Sequence, residues 1–225
     1  MQTLVEGIHH FQQNELPSKL RLFQHLANGQ QPIALMITCS DSRINPNLIT
    51  HTEPGELFIV RNVGNMVPPH GTGNNGEAAA IEYSVAELNV KDIIVCGHTH
   101  CGAMRGLLNP KSLGELPLVR RWLRYGQATS QIIRENYSHL RGSALLTATA
   151  QENVLVQLQH LKTFPVVAAR LARGDLHLHG WMYKIETGDV FHYDPREKQF
   201  VLIEHAFDQV DVSRSLVASG ERLTA

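Results

Sequence analysis

Short apolar runs recur through the first half of the chain and are separated by polar residues. Three of them, PIALMIT (32–38), LFIV (57–60) and DIIVCG (92–97), are almost wholly apolar, as is typical of strands buried on both faces. Between them, EAAAIEYSVAEL (77–88) has apolar residues at helical spacing. This alternation predicts an α/β fold with a central, mainly parallel β-sheet flanked by helices. Further helices are predicted at 101–108, 118–138 and 148–173, with a break at Pro165.

The N-terminal segment precedes the first predicted strand and is amphipathic. Residues 3–13 and 17–27 have apolar positions at helical spacing. Pro17 suits the first turn of the second helix, where its missing N–H is not needed. The pattern predicts an N-terminal helical arm over about residues 1–28.

The C-terminal part has a β pattern. Residues 176–194 contain β-rich segments on either side of Thr187-Gly188, which predicts a hairpin extension. A further strand is predicted at 198–205, and the pattern fades after it. We therefore expect one domain over residues 1–205 and a C-terminal tail over 206–225.

Composition excludes several classes of protein. The 225 residues, 43% of them hydrophobic, suffice for one large core, and a net charge of −1 offers no basic field for nucleic acid. No apolar run reaches the length of a membrane span, and the N-terminus does not resemble a signal peptide. Three cysteines without a secretory signal indicate reduced thiols in the cytoplasm. Clustered cysteines in such a chain favour metal binding over a disulfide.

The segment CGHTHC (96–101) concentrates soft, metal-competent groups. His98 lies just past the third predicted strand, and Cys101 opens the next helix, so a turn lets both side chains reach one cation. The helix N-terminus also favours a thiolate. We interpret Cys96, inside the strand, as a buried core residue. His100 is interpreted as bonded to the backbone or to water.

The third cysteine completes a plausible set of zinc ligands. Cys39 ends the first predicted strand, and the carboxyl ends of parallel strands meet at one edge of the sheet. A structural zinc site needs four protein ligands, whereas a catalytic one has three and an open position. Cys39, His98 and Cys101 therefore predict a catalytic zinc site.

Two charged residues follow Cys39 at alternate positions in CSDSR (39–43). Asp41 either ligates the zinc or accepts a hydrogen bond from its water ligand, and Arg43 holds Asp41 through a bidentate pair. The alternative is a solvated ion pair in a loop, which the neighbouring ligands make less favoured.

Together these motifs resemble the β-class carbonic anhydrases, in order, over roughly residues 3–205. The segments that carry the resemblance are CSDSR, PGELFIVRNVGN (54–65), EAAAIEY (77–83) and IIVCGHTHCGAM (93–104). The chain is most similar to cyanobacterial, carboxysome-associated members, through NPNLIT (45–50), NYSHL (136–140) and RGDLHLHGW (173–181).

The resemblance implies an enzyme that hydrates CO2 reversibly to bicarbonate and a proton, with zinc hydroxide as the nucleophile and one zinc per chain. It implies Cys39, His98 and Cys101 as ligands, with Asp41 and Arg43 as the catalytic dyad and Asp41 as an alternative ligand. The substrate-pocket residues that it implies are Gln30, Phe58, Val63 and Tyr83.

The resemblance also implies partners and a location. The pocket of the family lies at a dimer interface, so we expect a homodimer or a larger even-numbered homo-oligomer. We further expect a cytoplasmic protein inside carboxysomes that supplies inorganic carbon for carbon fixation, with a carboxysome scaffold protein as partner.

Some family members bind bicarbonate in a non-catalytic pocket built from a Trp, an Arg and a Tyr. This chain keeps Arg61 and Tyr183, but Met36 stands at the Trp position and offers no indole N–H. We expect poor bicarbonate binding there, and Asp41 paired with Arg43.

Three alternatives stay open at this point. GTGNNG (71–76) matches a dinucleotide-binding fingerprint, but VPPH (67–70) separates it from the preceding strand. A zinc-stapled adaptor without catalysis is the second, although it would not need Asp41 and Arg43. The third is a carbon disulfide hydrolase, since such enzymes resemble this family closely.

Overall fold

The structure is a computed structural model that describes residues 1–73 and 75–203. The predicted tail over 206–225 lies outside the described residues. So does the end of the strand predicted at 198–205.

A six-stranded mixed sheet forms the centre of the fold, and it confirms the predicted α/β architecture. The strands are β1 (Ala34–Cys39), β2 (Leu57–Asn62), β3 (Asp92–His98), β4 (His177–Tyr183), β5 (Val190–Asp194) and β6 (Gln199–Leu202). Their order is β2-β1-β3-β4-β5-β6. The first four are parallel, and β5 and β6 add antiparallel strands at one edge. The hairpin predicted around Thr187-Gly188 is therefore confirmed, with Gly188 at φ +81° in its turn.

Helices connect the strands. They are α1 (Gln2–His10), α2 (Leu16–Leu26), α3 (Pro46–Thr50), α4 (Gly76–Ala86), α5 (Gly102–Leu108), α6 (Pro117–Trp122), α7 (Gln127–Asn136), α8 (Gly142–Leu161) and α9 (Pro165–Arg173). Pro165 begins α9, so the break expected there is confirmed. Within residues 1–73 and 75–203, none of these helices has the length and apolar character that crossing a membrane requires.

Two helical boundaries differ from the prediction. The segment 118–138 is not one helix, because a 3₁₀ turn at Leu123–Gly126 separates α6 from α7. Helix α8 begins at Gly142, six residues before the start predicted at 148. Its first two residues, Gly142 and Ser143, are weak helix formers, but Leu146 is buried in the following turn, so tertiary packing outweighs propensity.

The main core lies on one face of the sheet. Leu35 and Ile37 of β1 point to this face, as do Ile93 and Val95 of β3. The apolar residues that pack over them come from α4, α5, α8 and α9. The opposite face carries a smaller buried cluster that includes Met36 and Cys96. The main core thus supports β1 and β3, the two strands that end at the candidate site.

The N-terminal arm stands apart from this core. Helices α1 and α2 are joined by a π-helical turn at Phe11–Glu15, and neither helix has a buried residue. Leu4, Ile8 and Phe11 are among the exposed large apolar side chains. The predicted helical arm is present, and its apolar face is not covered by its own chain.

Candidate metal centre

The three predicted ligands converge where β1 and β3 end. Cys39 is the last residue of β1, His98 is the last residue of β3, and Cys101 is the N-cap of α5. Their ligand atoms lie within 4.8 Å of one another, and all three side chains are buried. His98 is part of strand β3, whereas the sequence predicted it to lie just past the end of that strand. Because β1 and β3 are adjacent and parallel, their carboxyl ends bring the ligands together.

The ring of His98 is oriented by its backbone neighbour. Nδ1 lies 2.8 Å from the carbonyl oxygen of Thr99 and donates to it, which leaves Nε2 as the unprotonated atom. Nε2 is buried and has no hydrogen-bond partner among the described residues. A buried nitrogen without a partner is costly. A cation held with the two sulfurs would satisfy it.

The two cysteines share one negative charge. The hydrogen bond from Cys101 lowers the pKa of Cys39 to about 4, and the backbone N–H of Gly64 donates to the Cys39 sulfur at 3.4 Å. The same interaction raises the pKa of Cys101, since a second thiolate would lie against the first. A divalent cation removes this repulsion, and two thiolates with one imidazole are typical zinc ligands. The residues therefore fit zinc.

The other two groups of the CGHTHC segment lie elsewhere. Cys96 is fully buried in the small cluster, and burial raises its pKa to about 12, which confirms its interpretation as a core residue. The side chain of His100 was predicted to bond to the backbone or to water, but the structure gives it a side-chain partner instead. Its Nε2 lies 2.6 Å from a carboxylate oxygen of Glu186.

Asp41 and Arg43 form a bidentate pair at the edge of the ligand cluster. Nε of Arg43 donates to Oδ1 of Asp41 at 2.9 Å, and Nη2 donates to Oδ2 at 2.8 Å. These bonds hold the pKa of Asp41 well below its usual range. Oδ2 also lies 3.9 Å from Nε2 of His98. The carboxylate is thus ionised, oriented and close to the ligand atoms.

Arg61 supports this arrangement from β2. Its Nε donates to the carbonyl oxygen of Cys39 at 3.1 Å, and its Nη2 donates to that of Asp41 at 2.7 Å. Met36 of β1 is fully buried. Arg61 is therefore engaged by the backbone of β1 and the turn after it, and Asp41 has the pairing with Arg43 that we expected.

The predicted pocket residues are only partly brought together. Val63 lies directly before Gly64, next to the ligand cluster, and is 39% exposed. The rings of Phe58 and Tyr83 lie with centroids 6.0 Å apart, and the Tyr83 side chain is 48% exposed. Gln30 is exposed in the segment between α2 and β1. Much of this predicted pocket faces solvent in the single chain.

Two buried polar residues of α8 were not singled out from the sequence. Asn153 donates through Nδ2 to the carbonyl oxygen of Gly64 at 3.0 Å, and its Oδ1 accepts from Gln157 at 3.0 Å. Gln157 in turn accepts from the N–H of Val67 at 2.8 Å. They fix the loop whose Gly64 N–H reaches Cys39. The available signal was a polar pair four residues apart on an apolar helix face.

The comparison with protein families agrees with this geometry. The family model described as carbonic anhydrase matches residues 34–190, a span that includes all three ligands, Asp41 and Arg43. The chain belongs to the carbonic anhydrase family.

Similar proteins narrow the class. A carbonic anhydrase from Synechocystis sp. is 51% identical over 202 residues, which cover 89% of this chain and 74% of the relative. The solved structure of the β-carbonic anhydrase CcaA has a TM-score of 0.88 and 51% identity, covering 90% of this chain and 98% of that one. One of two tetrameric β-carbonic anhydrases from Sordaria macrospora has a TM-score of 0.78 and 29% identity, covering 85% and 95%.

The predicted class and activity are thereby confirmed. This carbonic anhydrase is of the β class and catalyses the zinc-dependent, reversible hydration of CO2 to bicarbonate and a proton. The cluster of Cys39, His98 and Cys101 could hold the zinc.

Proposed function

We propose that Asp41 and Arg43 are the catalytic dyad of this carbonic anhydrase, next to a zinc held by Cys39, His98 and Cys101. The observation that carries the proposal is the bidentate ion pair whose carboxylate lies 3.9 Å from Nε2 of His98. A purely structural zinc site would not need an oriented carboxylate at that distance.

Zinc held by Cys39, His98 and Cys101 would act as a Lewis acid that makes a water acidic near neutral pH. Asp41 accepts one hydrogen bond from the reacting water. This bond fixes the direction in which the lone pair of the water oxygen points. Arg43 keeps Asp41 ionised, because two hydrogen bonds from a guanidinium favour the carboxylate. The backbone N–H of Gly64 stabilises the Cys39 thiolate. Each of these groups is in position before substrate arrives.

The substrate pocket is proposed to be completed by a second copy of the chain. Val63 supplies an apolar wall near the ligands, and Phe58, Tyr83 and Gln30 contribute across the interface. The exposure of Val63 and Tyr83 in the single chain supports this arrangement. CO2 is small and apolar, so its site needs apolar surface and one donor rather than many polar contacts.

The assembly is proposed to be a homodimer or a larger even-numbered oligomer. The uncovered apolar face of the arm, with Leu4, Ile8 and Phe11, supports a partner surface of the same chain. The tetrameric enzymes from Sordaria macrospora, which are similar to this chain, are consistent with such an assembly.

The biological setting is proposed to be the carboxysome in the cytoplasm, where the enzyme interconverts inorganic carbon for carbon fixation and binds a scaffold protein. The support is the 51% identity to a cyanobacterial carbonic anhydrase. A fluorescent fusion expressed in a cyanobacterium should form foci that coincide with a carboxysome shell marker. A diffuse cytoplasmic signal would contradict this setting.

The catalytic proposal is tested on the purified zinc-loaded protein. We expect CO2 hydration in a stopped-flow pH-indicator assay, and no hydrogen sulfide released from carbon disulfide. Zinc content measured on the same sample should be one per chain. Bound zinc with sulfide release instead of CO2 hydration would favour a carbon disulfide hydrolase, and bound zinc with neither reaction would favour a structural adaptor.

A further inference from the structure

Glu186 lies in the turn between β4 and β5, far in sequence from the metal ligands. Its Oε2 accepts from the hydroxyl of Thr99 at 2.6 Å, and its Oε1 bonds to Nε2 of His100 at 2.6 Å. Thr99 and His100 are the two residues that separate the ligands His98 and Cys101. One carboxylate thus holds both residues of the ligand loop.

Each polar group of Thr99 makes a hydrogen bond. Its N–H donates to the carbonyl oxygen of Tyr183 at 3.0 Å, and its own carbonyl oxygen accepts from Nδ1 of His98. Its hydroxyl oxygen accepts from the N–H of Ile185 at 3.1 Å while it donates to Glu186. The carbonyl that sets the ring orientation of His98 therefore belongs to a residue anchored on the β4–β5 turn.

His100 adopts a backbone conformation that needs support. Its φ is +55°, in the left-handed region that residues with a Cβ seldom adopt. Its side chain is held by Glu186, and its carbonyl oxygen accepts from Nη2 of Arg43 at 3.3 Å. The left-handed residue thus joins the ligand loop to the dyad.

We propose that Glu186 is a positioning residue of the metal centre, which fixes the Thr99-His100 segment so that His98 and Cys101 face one cation. It acts through these two residues and does not touch the metal. The inference rests on the proposed function for the identity of the ligands, but it concerns how tightly they are held.

Charge and exposure are compatible with this role. The hydrogen bond from Thr99 lowers the pKa of Glu186 to about 2, so the residue is a carboxylate throughout the working range. Its side chain is 44% exposed, and exposed ion pairs contribute little to global stability. A change at Glu186 should therefore alter metal retention more than it alters unfolding.

The test compares three variants of the zinc-loaded enzyme. Glu186→Ala removes both contacts. Glu186→Gln keeps them, because the amide oxygen can accept from Thr99 while the amide nitrogen donates to His100 in its other tautomer. Asp189→Ala is the matched control, since it removes a carboxylate from the same turn that bonds to Thr187 and not to the ligand loop. The measured quantity is the half-time of zinc transfer to the chromogenic chelator 4-(2-pyridylazo)resorcinol.

We expect zinc loss to be about tenfold faster in Glu186→Ala, within the range for residues that orient metal ligands, and close to wild type in the other two variants. The thiolate-to-cobalt charge-transfer bands of the cobalt-substituted protein should shift only in Glu186→Ala. Wild-type zinc release and cobalt bands in Glu186→Ala would overturn the proposal. Equal acceleration in Asp189→Ala would also overturn it, because the effect would then belong to the turn in general.

A second pair of variants covers the case in which Glu186→Ala does not fold. Thr99→Val removes the hydroxyl that joins the ligand loop to Glu186, and Thr99→Ser keeps it. Faster zinc release in the valine variant alone supports the proposal, and equal release in both contradicts it. Zinc transfer is measured without CO2, so failure of this inference is distinguishable from failure of the catalytic assignment.

Discussion

Oδ2 of Asp41 lies 3.9 Å from Nε2 of His98, although Arg43 donates hydrogen bonds to both oxygens of the same carboxylate. Asp41 is therefore close enough to act on a group in the ligand cluster, and it is held so that it does not need to become a ligand itself.

Replacing Asp41 by Asn should retain zinc and lower kcat/KM roughly 10–100-fold. The amide cannot accept two hydrogen bonds from Arg43, so its orientation is lost and its acceptor is weaker. Ser42→Ala, at the exposed position between the two residues, is the control and should keep wild-type rates. Loss of zinc from Asp41→Asn would contradict the dyad and assign Asp41 as a ligand.

Variants of the three cysteines should differ in their zinc content. Cys39→Ser and Cys101→Ser should each lose zinc and activity together, because each removes one of the thiolates that hold the metal. Cys96→Ala should keep one zinc per chain and cost only a packing term of about 1–2 kcal/mol. Metal analysis and urea unfolding of the three proteins decide this. Full zinc content in Cys101→Ser would refute the ligand assignment.

Removing Asn153 should weaken the loop that carries Gly64. Asn153→Ala leaves the Gly64 carbonyl and the Gln157 amide buried without their partners, so Tm of the zinc-loaded enzyme should fall by roughly 5–10 °C. Gln159→Ala, an exposed position on the same helix, should leave Tm nearly unchanged. Equal melting of the two variants would show that the network does not stabilise the loop.

The candidate ligands could be predicted from the sequence because each one stands at a position that the local pattern marks. Cys39 ends an apolar strand, and His98 and Cys101 flank a turn, so strand period and ligand spacing suffice. Glu186 and Asn153 escaped notice for the opposite reason. Each acts across 86 to 89 residues of sequence, and a lone Glu in a turn carries no spacing signal, while the pair of Asn153 and Gln157 marks only a polar stripe on its helix and not what that stripe contacts.

The helices and strands also divide into those that the local sequence predicts and those that depend on other contacts. The buried strands were predictable from unbroken apolar runs, whereas helix α3 at Pro46–Thr50 was not predicted because it is only five residues long and depends on the side chain of Asn45 capping Leu48. The early start of α8 depends on burial of Leu146, which only the tertiary structure determines. Predicted pocket residues such as Gln30 are proposed to act with a second chain, which periodicity does not describe.

A charge on the apolar face of the arm should dissociate the enzyme. Ile8→Glu places a carboxylate among Leu4 and Phe11, where burial against a partner would strand it in an apolar interface. We expect the mass measured by sedimentation to fall toward that of one chain, with activity falling in parallel if the partner completes the pocket. Gln13→Glu, a polar position on the same arm, is the control. An active, monodisperse monomer of the unmodified enzyme would contradict the proposed homo-oligomer.

Zinc binding should release a proton, because the metal-free thiols share one. Hydrogen bonding from Cys101 lowers the pKa of Cys39 to about 4, so Cys39 is already a thiolate at neutral pH, whereas the pKa of Cys101 is raised and its thiol keeps its proton. Nδ1 of His98 donates to the carbonyl oxygen of Thr99, so Nε2 is the ring atom that would bind the cation.

Zinc therefore competes with about one proton for Cys101, and apparent affinity should fall about tenfold for each pH unit lost between pH 8 and pH 6. Isothermal titration of the metal-free enzyme in buffers with different ionisation enthalpies counts the protons directly. At pH 6, where a zinc-bound water would keep both of its protons, release of about two protons would show that both cysteines are protonated without metal, and release of none would show that both are thiolates. In Cys96→Ala the count should be unchanged, because that thiol has no part in binding.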